Sequence, residues 1–265
     1  MILATSITNN YLAGASYWWL TGVNKYSPFA NFCLCLDFEP PDNVVHEYTN
    51  VTFVPYSSAL MRAKHDNNCV QHGDFLWGLP LSETNPVIIF CDADCLMQRA
   101  PTTEEITWLN SFGEMTFAAG DEANQVEHRD LYGYGLLMQP TGDYDAEISD
   151  RFGGIDKRIY ICNGGMLVGR LSAWAEVFDR YVTVASYIFP RLRHLAKQQY
   201  TISFVIQQPP FDFKLLPRTF VSHGHDGLHH NVHLVQSNNF NYAYYNNELI
   251  MFAHHIFLPE EKMTW

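Results

Sequence analysis

The strongest strand signal in the chain is Pro86-Val87-Ile88-Ile89-Phe90-Cys91-Asp92-Ala93-Asp94. Its nearly continuous apolar run predicts a short strand that is buried on both faces, as the strands of parallel sheets are. The run ends abruptly at Asp92 and Asp94, and an extended backbone points residues two apart to the same side. Because ligands of open α/β sheets bind at the carboxyl ends of the strands, we expect these two carboxylates to face a binding site.

The segments around this strand alternate between apolar strand patterns and helical patterns, which indicates βαβ units and a largely parallel sheet. We predict strands at residues 2–7, 31–36, 51–54, 115–119, 159–162 and 249–253, and helices at 11–24, 57–77, 103–110, 172–189 and 196–206. The predicted fold class is therefore α/β, with a mostly parallel central sheet flanked by helices. The length of 265 residues, without a composition break, favours one domain over residues 1–265.

The composition argues against two classes of protein. With 28 acidic and 16 basic residues the formal net charge is −12, which does not suit a nucleic-acid binder that depends on phosphate contacts. No apolar run approaches the roughly 18–20 residues of a membrane-spanning helix. The N-terminus lacks the basic segment of a secretory signal, so we expect a cytoplasmic protein. The 6 cysteines contain no Cys-x-x-Cys pair, and we expect them to be buried free thiols.

Asp92 and Asp94 are candidate metal ligands. Carboxylate oxygens suit Mg²⁺ or Mn²⁺ and leave coordination positions for phosphate oxygens. Such a cation could hold a diphosphate leaving group and neutralise its developing charge. His254 and His255 end a second apolar strand, and one of them could complete the site. The alternative is structural: the acids would cap the next turn, and the histidines would be half-buried.

The end of the first predicted strand carries polar residues that could bind a nucleotide. Thr5, Thr8 and Asn9 lead into a helix N-terminus, where backbone and side-chain donors are available. Tyr11 could stack on a base. The chain has no Gly-x-Gly-x-x-Gly and no Gly-x-x-x-x-Gly-Lys-Ser/Thr motif, which argues against dinucleotide-binding and P-loop proteins. Plain helix capping by Thr8 or Asn9 is the alternative.

A further polar segment, Cys162-Asn163-Gly164-Gly165, follows another predicted strand. Its glycines would permit a ligand to approach the backbone closely, and the Asn163 amide could hydrogen-bond sugar hydroxyls. A tight turn without a ligand is the alternative. The His-rich run at 222–233 resembles the metal motif of metallo-β-lactamase-like hydrolases, but its Asp226 stands one place early. We interpret that run as a polar loop, with substrate contacts or a bound metal as alternatives.

Taken in chain order, six segments resemble a nucleotide-sugar glycosyltransferase of the GT-A fold. The layout is closest to glycosyltransferase family 8, the glycogenin and bacterial galactosyltransferase group, or to a neighbouring GT-A family. The segments are residues 4–11, the run 62–94 into the Asp-x-Asp motif, 162–168, the helical stretch 198–206, the strand 213–217, and Phe252-Ala253-His254-His255 with Lys262 and Trp265.

The resemblance implies transfer of a sugar from a nucleoside-diphosphate sugar, in the first place a UDP-sugar, to a hydroxyl of a glycan or other acceptor, assisted by Mn²⁺ or Mg²⁺. It implies metal ligation by Asp92, Asp94 and His254 or His255. The implied donor-binding residues are Ala4, Thr5, Thr8, Asn9, Tyr11, Arg62, Asp92, Ala93, Asp94, Asn163 and Gly164. An inverting reaction needs a general base, for which Asp121 is the first candidate, with Asp150 and Asp156 as further candidates. For a retaining reaction the resemblance implies either Gln199 beside the reacting carbon or a front-face route.

Three other functions stay open. A carbohydrate- or nucleotide-sugar-binding protein on the same fold would lack turnover, and Gln198 and Tyr200, which stand where family 8 has acids, favour it. A nucleotidyltransferase of related fold would consume a nucleoside triphosphate, but its Gly-rich, basic loop after the first strand is missing from the sequence. A metallohydrolase built on the His-rich run would not respond to nucleotide sugars.

Overall fold

The structure is a computed structural model, which describes residues 1–12, 14, 16–60, 75–80, 84–121, 151, 162–188, 197–223, 232–237 and 240–254. In chain order its elements are β1 (Ile2–Thr8), α1 (Asn9–Leu12), α2 (Ser16–Tyr26), β2 (Ala30–Leu36), α3 (Asp42–Glu47), β3 (Thr52–Tyr56), β4 (Val87–Cys91), β5 (Cys95–Met97), α4 (Thr103–Asn110), β6 (Thr116–Asp121), β7 (Cys162–Arg170), α5 (Leu171–Ile188), α6 (Lys197–Ile206), β8 (Asp212–Leu215), β9 (Val221–His223), β10 (Val232–Ser237), β11 (Phe240–Tyr245), β12 (Glu248–Leu249) and β13 (Phe252–His254).

A seven-stranded sheet in the order β3-β2-β1-β4-β7-β6-β8 forms the centre of the described structure. Neighbouring strands pair in parallel except at β7, which runs antiparallel to both β4 and β6. The strand order reverses between β1 and β4, since β2 and β3 lie on one side of β1 and the later strands lie on the other. The predicted α/β class with a mostly parallel central sheet is confirmed.

Helices cover both faces of this sheet, which explains why β4 is apolar along its whole length. Ile88 and Phe90 pack in one hydrophobic cluster with side chains of α5 and α6, whereas Ile89 and Cys91 pack in a second cluster with α2 and α4. The Trp174 indole of α5 donates a hydrogen bond to Ile88 O (3.3 Å). Among the described residues, no helix combines the length and the apolar character that a membrane crossing requires.

Two three-stranded sheets stand beside the central one, in the orders β5-β13-β9 and β10-β11-β12. Strand β13 pairs antiparallel with β5 and parallel with β9. Because β5 begins directly after Asp94, this pairing brings the distant strand β13 next to the end of β4. The geometry of the candidate site depends on this contact.

The buried side chain of Gln98, 2% exposed, joins the two small sheets. Its Nε2 donates to Ala243 O (3.3 Å) and to Ile250 O (2.9 Å), and its Oε1 accepts from Ala243 N (2.8 Å). Loss of the amide would leave these backbone groups buried and unpaired, which costs far more free energy than one exposed hydrogen bond.

We expect Gln98→Ala to lower the free energy of unfolding by about 2–4 kcal/mol, because several buried backbone groups lose their partner at once. Urea denaturation measures this change. Asn43→Ala, which truncates an exposed amide in α3, is the matched control and should stay within about 0.5 kcal/mol of the parent protein. An equally small change in Gln98→Ala would mean that the amide does not hold the small sheets together.

Several predicted boundaries differ from the structure, and the predicted strand 249–253 is divided between β12 and β13. The predicted helix 11–24 is two helices, since Gly14 N donates to Tyr11 O (3.1 Å) and closes α1 in a turn before α2 begins. Residues 58–60 and 75–78, predicted as helix, form short 3₁₀ turns, and 61–74 lie outside the described residues. The segment Asn163 to Gly165 lies inside β7 rather than after a strand, because its backbone pairs with the strands on both sides.

The prediction of buried thiols is confirmed for the cysteines that the structure describes. Each of them is buried and none forms a disulfide: Cys33, Cys35, Cys91, Cys95 and Cys162. Cys69 lies outside the described residues.

Candidate functional site

The candidate site lies at the edge of the central sheet where β1, β4 and β6 end. Since β7 runs in the opposite direction, its first residues reach the same edge. Thr8 ends β1, Asp92 follows β4, Asp121 ends β6, and Asn163 lies at the start of β7. The strand order reverses between β1 and β4, and open α/β sheets bind ligands outside the carboxyl ends at such a point.

Backbone hydrogen bonds hold the turn that carries the two acids. Asp92 N donates to Gly165 O of β7 (2.9 Å), and Cys95 N donates to Asp92 O (3.1 Å). The Asp92 and Asp94 side chains are 35% and 21% exposed, so both carboxylates are open to a ligand from solvent. Ala93, between them, is buried and packs into the second hydrophobic cluster.

His254 joins the two carboxylates from a segment far away in the sequence. It is the last residue of β13 and lies opposite Cys95 in the β5–β13 pair. Its side chain is 2% exposed, and its Nε2 lies 3.2 Å from Asp94 Oδ1 and 3.5 Å from Asp92 Oδ2. The sequence left His254 and His255 as alternatives; the described contacts belong to His254, and His255 lies outside the described residues.

The two acids hold a proton on His254 when no cation is bound. Burial alone would lower the pKa of His254, but the hydrogen bonds and negative charges of Asp92 and Asp94 outweigh burial and raise that pKa to about 10. A divalent cation bound by the three side chains would take the place of this proton. Two carboxylates and one imidazole are a donor set that a divalent cation such as Mn²⁺ accepts.

The imidazole of His254 rests directly on the backbone of Gly165. A Cβ built on Gly165 would overlap the Cε1, Nδ1 and Nε2 atoms of the ring. Only glycine lets the ring come this close to β7. The sequence showed two adjacent glycines at this place, but the partner of Gly165 could not be read from it, because that partner is 89 positions away, the difference between 254 and 165.

Two buried hydroxyl groups in the second half of β1 have no partner within the described part of the chain. Thr5 is 0% exposed and Ser6 7% exposed, and neither hydroxyl oxygen has a hydrogen-bond partner among the residues that the structure describes. Buried polar groups in native proteins are normally paired, so these hydroxyls call for partners beyond the described residues, and a polar ligand at this edge is one candidate. Ser6 was not among the predicted site residues, although it directly follows Thr5 in the same strand.

The other predicted residues of this segment take different positions. Ala4 is buried in β1, where its carbonyl accepts a hydrogen bond from Cys91 Sγ (3.9 Å). Thr8 is the last residue of β1, and Asn9 is exposed at the start of α1. The Tyr11 ring is 48% exposed on α1, which leaves it available for stacking.

The remaining predicted residues that the structure describes lie at the start of β7 or on elements that pack against it. Asn163 Oδ1 accepts a hydrogen bond from Gly165 N (2.7 Å), and Gly164 lies between them in the strand. Asp121 pairs with Cys162 across β6 and β7. Gln199 lies one turn of α6 before Ser203, whose Oγ accepts from Cys162 N (2.9 Å).

Four predicted site residues lie outside the described part of the chain: Arg62, Asp150, Asp156 and His255. Most of the His-rich run does as well, since only its ends are described. At one end His223 lies in β9, opposite His254 in the β13 pair. At the other end the ring of His233 stacks on that of Tyr244 in the β10–β11 pair, with 5.2 Å between ring centroids.

Comparisons with known proteins identify the fold. No family model matches the sequence, and no curated protein matches it either. Among solved structures, the chain is similar to the galactosyltransferase LgtC in complex with donor and acceptor sugar analogues, at 11% identity and a TM-score of 0.55, over 96% of this chain and 86% of that one. An active-site mutant of LgtC gives 11% identity and a TM-score of 0.58, over 100% and 92%.

Mouse xyloside xylosyltransferase 1 in its apo form is similar at 11% identity and a TM-score of 0.54, over 84% of this chain and 87% of that one. The structural neighbours are thus GT-A glycosyltransferases, and the chain has the GT-A fold. This confirms the fold that the motif order predicted.

Proposed function

We propose that this protein is a metal-dependent glycosyltransferase, which moves a sugar from a nucleoside-diphosphate sugar, in the first place a UDP-sugar, to a hydroxyl of a glycan or other acceptor. The observation that carries the proposal is the convergence of Asp92, Asp94 and His254 at the point where the strand order reverses. The GT-A fold of the structural neighbours supports it.

The donor nucleotide would lie along the end of β1. The buried hydroxyls of Thr5 and Ser6 offer hydrogen bonds that no described residue takes. Tyr11, exposed on α1, could stack on the base, and the polar residues Thr8 and Asn9 lie between. Arg62 and Ala93 complete the proposed donor contacts.

The diphosphate would lie beside Asp92 and Asp94. A Mn²⁺ or Mg²⁺ ion held by these acids and His254 would neutralise the negative charge that develops on the leaving nucleoside diphosphate. The burial of His254 and its contact with Gly165 fix the imidazole, so this donor set is preorganised rather than assembled on binding. Asn163 and Gly164, at the start of β7, would contact the sugar.

The acceptor would react near the start of β7. Asp121 is the proposed general base of an inverting transfer, with Asp156 as a second candidate, and Gln199 is the proposed residue beside the reacting carbon of a retaining transfer. NMR of the product anomer distinguishes the two routes. An inverted product requires Asp121→Asn or Asp156→Asn to lower kcat, whereas a retained product requires Gln199→Ala to do so.

Ligand-dependent stability tests the donor site. We expect a nucleoside diphosphate at about 100 times its Kd, with Mn²⁺, to stabilise the protein by about 2.7 kcal/mol. Thermal shift and calorimetry against a panel of nucleoside diphosphates and nucleotide sugars measure this effect and name the base. Hydrolysis of the bound nucleotide sugar then separates a transferase from a binding protein without turnover. Folded protein that binds no nucleotide under any of these conditions would refute the proposal.

Removal of the Thr5 hydroxyl should affect nucleotide affinity and protein stability differently. We expect Thr5→Val to weaken nucleotide binding by about 0.5–1.5 kcal/mol, because one hydrogen bond to the ligand is lost. The same change should leave the unliganded protein as stable as before or more stable, because a buried unpaired hydroxyl becomes a methyl group. Calorimetry and thermal melts measure the two quantities. Lower stability with unchanged nucleotide affinity would assign Thr5 a purely structural role.

A further inference from the structure

A cysteine lies directly against the candidate metal ligands. Cys95 is the first residue of β5, is 0% exposed, and lies opposite His254 in the β5–β13 pair. Ligand atoms of Asp94, Cys95 and His254 all lie within 4.8 Å of one another. These three side chains could together hold a divalent cation through a carboxylate oxygen, a sulfur and an imidazole nitrogen, after small side-chain movements.

Sulfur changes the class of cation that such a site accepts. Mn²⁺ and Mg²⁺ prefer oxygen ligands, whereas thiolate ligands select softer cations. Zn²⁺ binds cysteine, histidine and carboxylate side chains together, typically with four ligands in a tetrahedron. Asp94, Cys95 and His254 supply three such ligands, and the exposed side of Asp94 leaves room for a fourth from solvent or substrate.

Without a cation the sulfur is held as a thiol. Its S–H group donates a weak hydrogen bond to Gly165 O (3.6 Å). Burial, together with the neighbouring Cys91 and the charges of Asp94 and Asp92, raises the pKa of Cys95 well above that of an ordinary thiol. Such a thiol is unreactive towards most reagents, and a bound thiophilic cation would displace its proton to solvent.

We infer that Asp94, Cys95 and His254 form a binding site for thiophilic divalent cations, of which Zn²⁺, Cd²⁺ and Co²⁺ are examples. The Cys95 thiolate is a ligand in this site and takes no part in the binding of Mn²⁺ or Mg²⁺. Because both modes use Asp94 and His254, a thiophilic cation excludes Mn²⁺. The inference rests on the proposed function in one respect: Asp94 and His254 are ligands in both. If both hold, Zn²⁺ is an inhibitor that competes with Mn²⁺.

Spectroscopy tests the sulfur ligand without any assay of activity. Addition of Co²⁺ to the metal-free protein should produce a near-ultraviolet charge-transfer band from thiolate to cobalt, and Zn²⁺ should abolish it. Cys95→Ser and Cys95→Ala should both lose the band. We expect Zn²⁺ affinity to fall at least about tenfold in these variants, because loss of a residue that only hydrogen-bonds to a metal ligand already costs about that much. Mn²⁺ affinity should stay unchanged.

Cys33→Ser is the matched control, since Cys33 is an equally buried thiol in β2 and is not among the cluster residues. It should keep the cobalt band. Thermal melts of each metal-free variant show whether the fold is intact. A band that persists without Cys95, or an equal loss of Zn²⁺ and Mn²⁺ affinity, would overturn the inference while leaving the transferase proposal in place. Failure of Mn²⁺ and nucleotide to bind the parent protein would instead refute the transferase proposal.

Discussion

We expect the replacement of Asp94 or Asp92 by Asn to lower kcat for the proposed sugar transfer at least about 100-fold, which is the scale on which single electrostatic contacts to a developing negative charge contribute. Asn keeps the size of the side chain but loses its charge. The neutral amide binds a divalent cation weakly and no longer attracts the imidazolium of His254 from 3.2–3.5 Å. Weaker cation binding reduces the positive charge that can oppose the leaving diphosphate. The lost attraction to the imidazolium affects only the metal-free protein, because the bound cation would replace the proton on His254.

Two calorimetric measurements test the role of the cation. Calorimetry with Mn²⁺ alone reports the cation, and calorimetry with nucleoside diphosphate in the presence and absence of Mn²⁺ reports the coupling between cation and nucleotide. We expect each variant to lose most of this coupling. Asp42→Asn, which changes an exposed acid in the first turn of α3, is the matched control and should bind and turn over as the parent does. Variants of Asp92 and Asp94 that retain parental kcat would exclude a role for these acids in transfer.

The central part of the fold could be predicted because it depends on local pattern. The apolar run of β4 is buried on both faces, and the alternation of strands and helices gives a parallel sheet. The position of Asp92 and Asp94 follows from the same rule, since strands of such sheets end at the binding edge. The predicted helix 103–110 matches α4 at both ends. A capping box of Thr102 and Glu105 fixes the start of this helix.

The contacts that complete the site depend on tertiary structure and left little signal in the sequence. The sequence could not decide between His254 and His255. Adjacent strand residues point to opposite sides, and only the register of β13 against β5 shows which of the two faces the acids. Cys95 resembled any buried apolar residue of a short strand. The unpaired hydroxyls of Thr5 and Ser6 could not be inferred either, since the absence of a partner is a property of the surrounding packing.

We expect the replacement of Gly165 by Ala to disable the candidate metal site, although none of the proposed metal ligands is itself replaced. The added methyl group would overlap the imidazole of His254, and that ring is buried with its backbone held between β5 and β9. Either the ring leaves its position beside Asp94 or β7 shifts, which would break the hydrogen bond from Asp92 N to Gly165 O. We therefore expect Mn²⁺ affinity and kcat to fall at least about tenfold, and the free energy of unfolding to fall by about 1–3 kcal/mol, as overpacked cores do.

A double-mutant cycle makes this prediction specific. If the destabilisation comes from the clash with the ring, His254→Ala should relieve it, so that Gly165→Ala costs less stability in that background than in the parent. Cation binding should stay lost in the double variant, because the imidazole ligand is absent. Gly113→Ala is the control, since a Cβ there would meet its nearest neighbour, Thr116 Oγ1, at an ordinary 3.4 Å. If the stability changes of Gly165→Ala and His254→Ala are strictly additive, Gly165 acts through the backbone alone. Its closeness to His254 would then not determine the geometry of the proposed metal ligands.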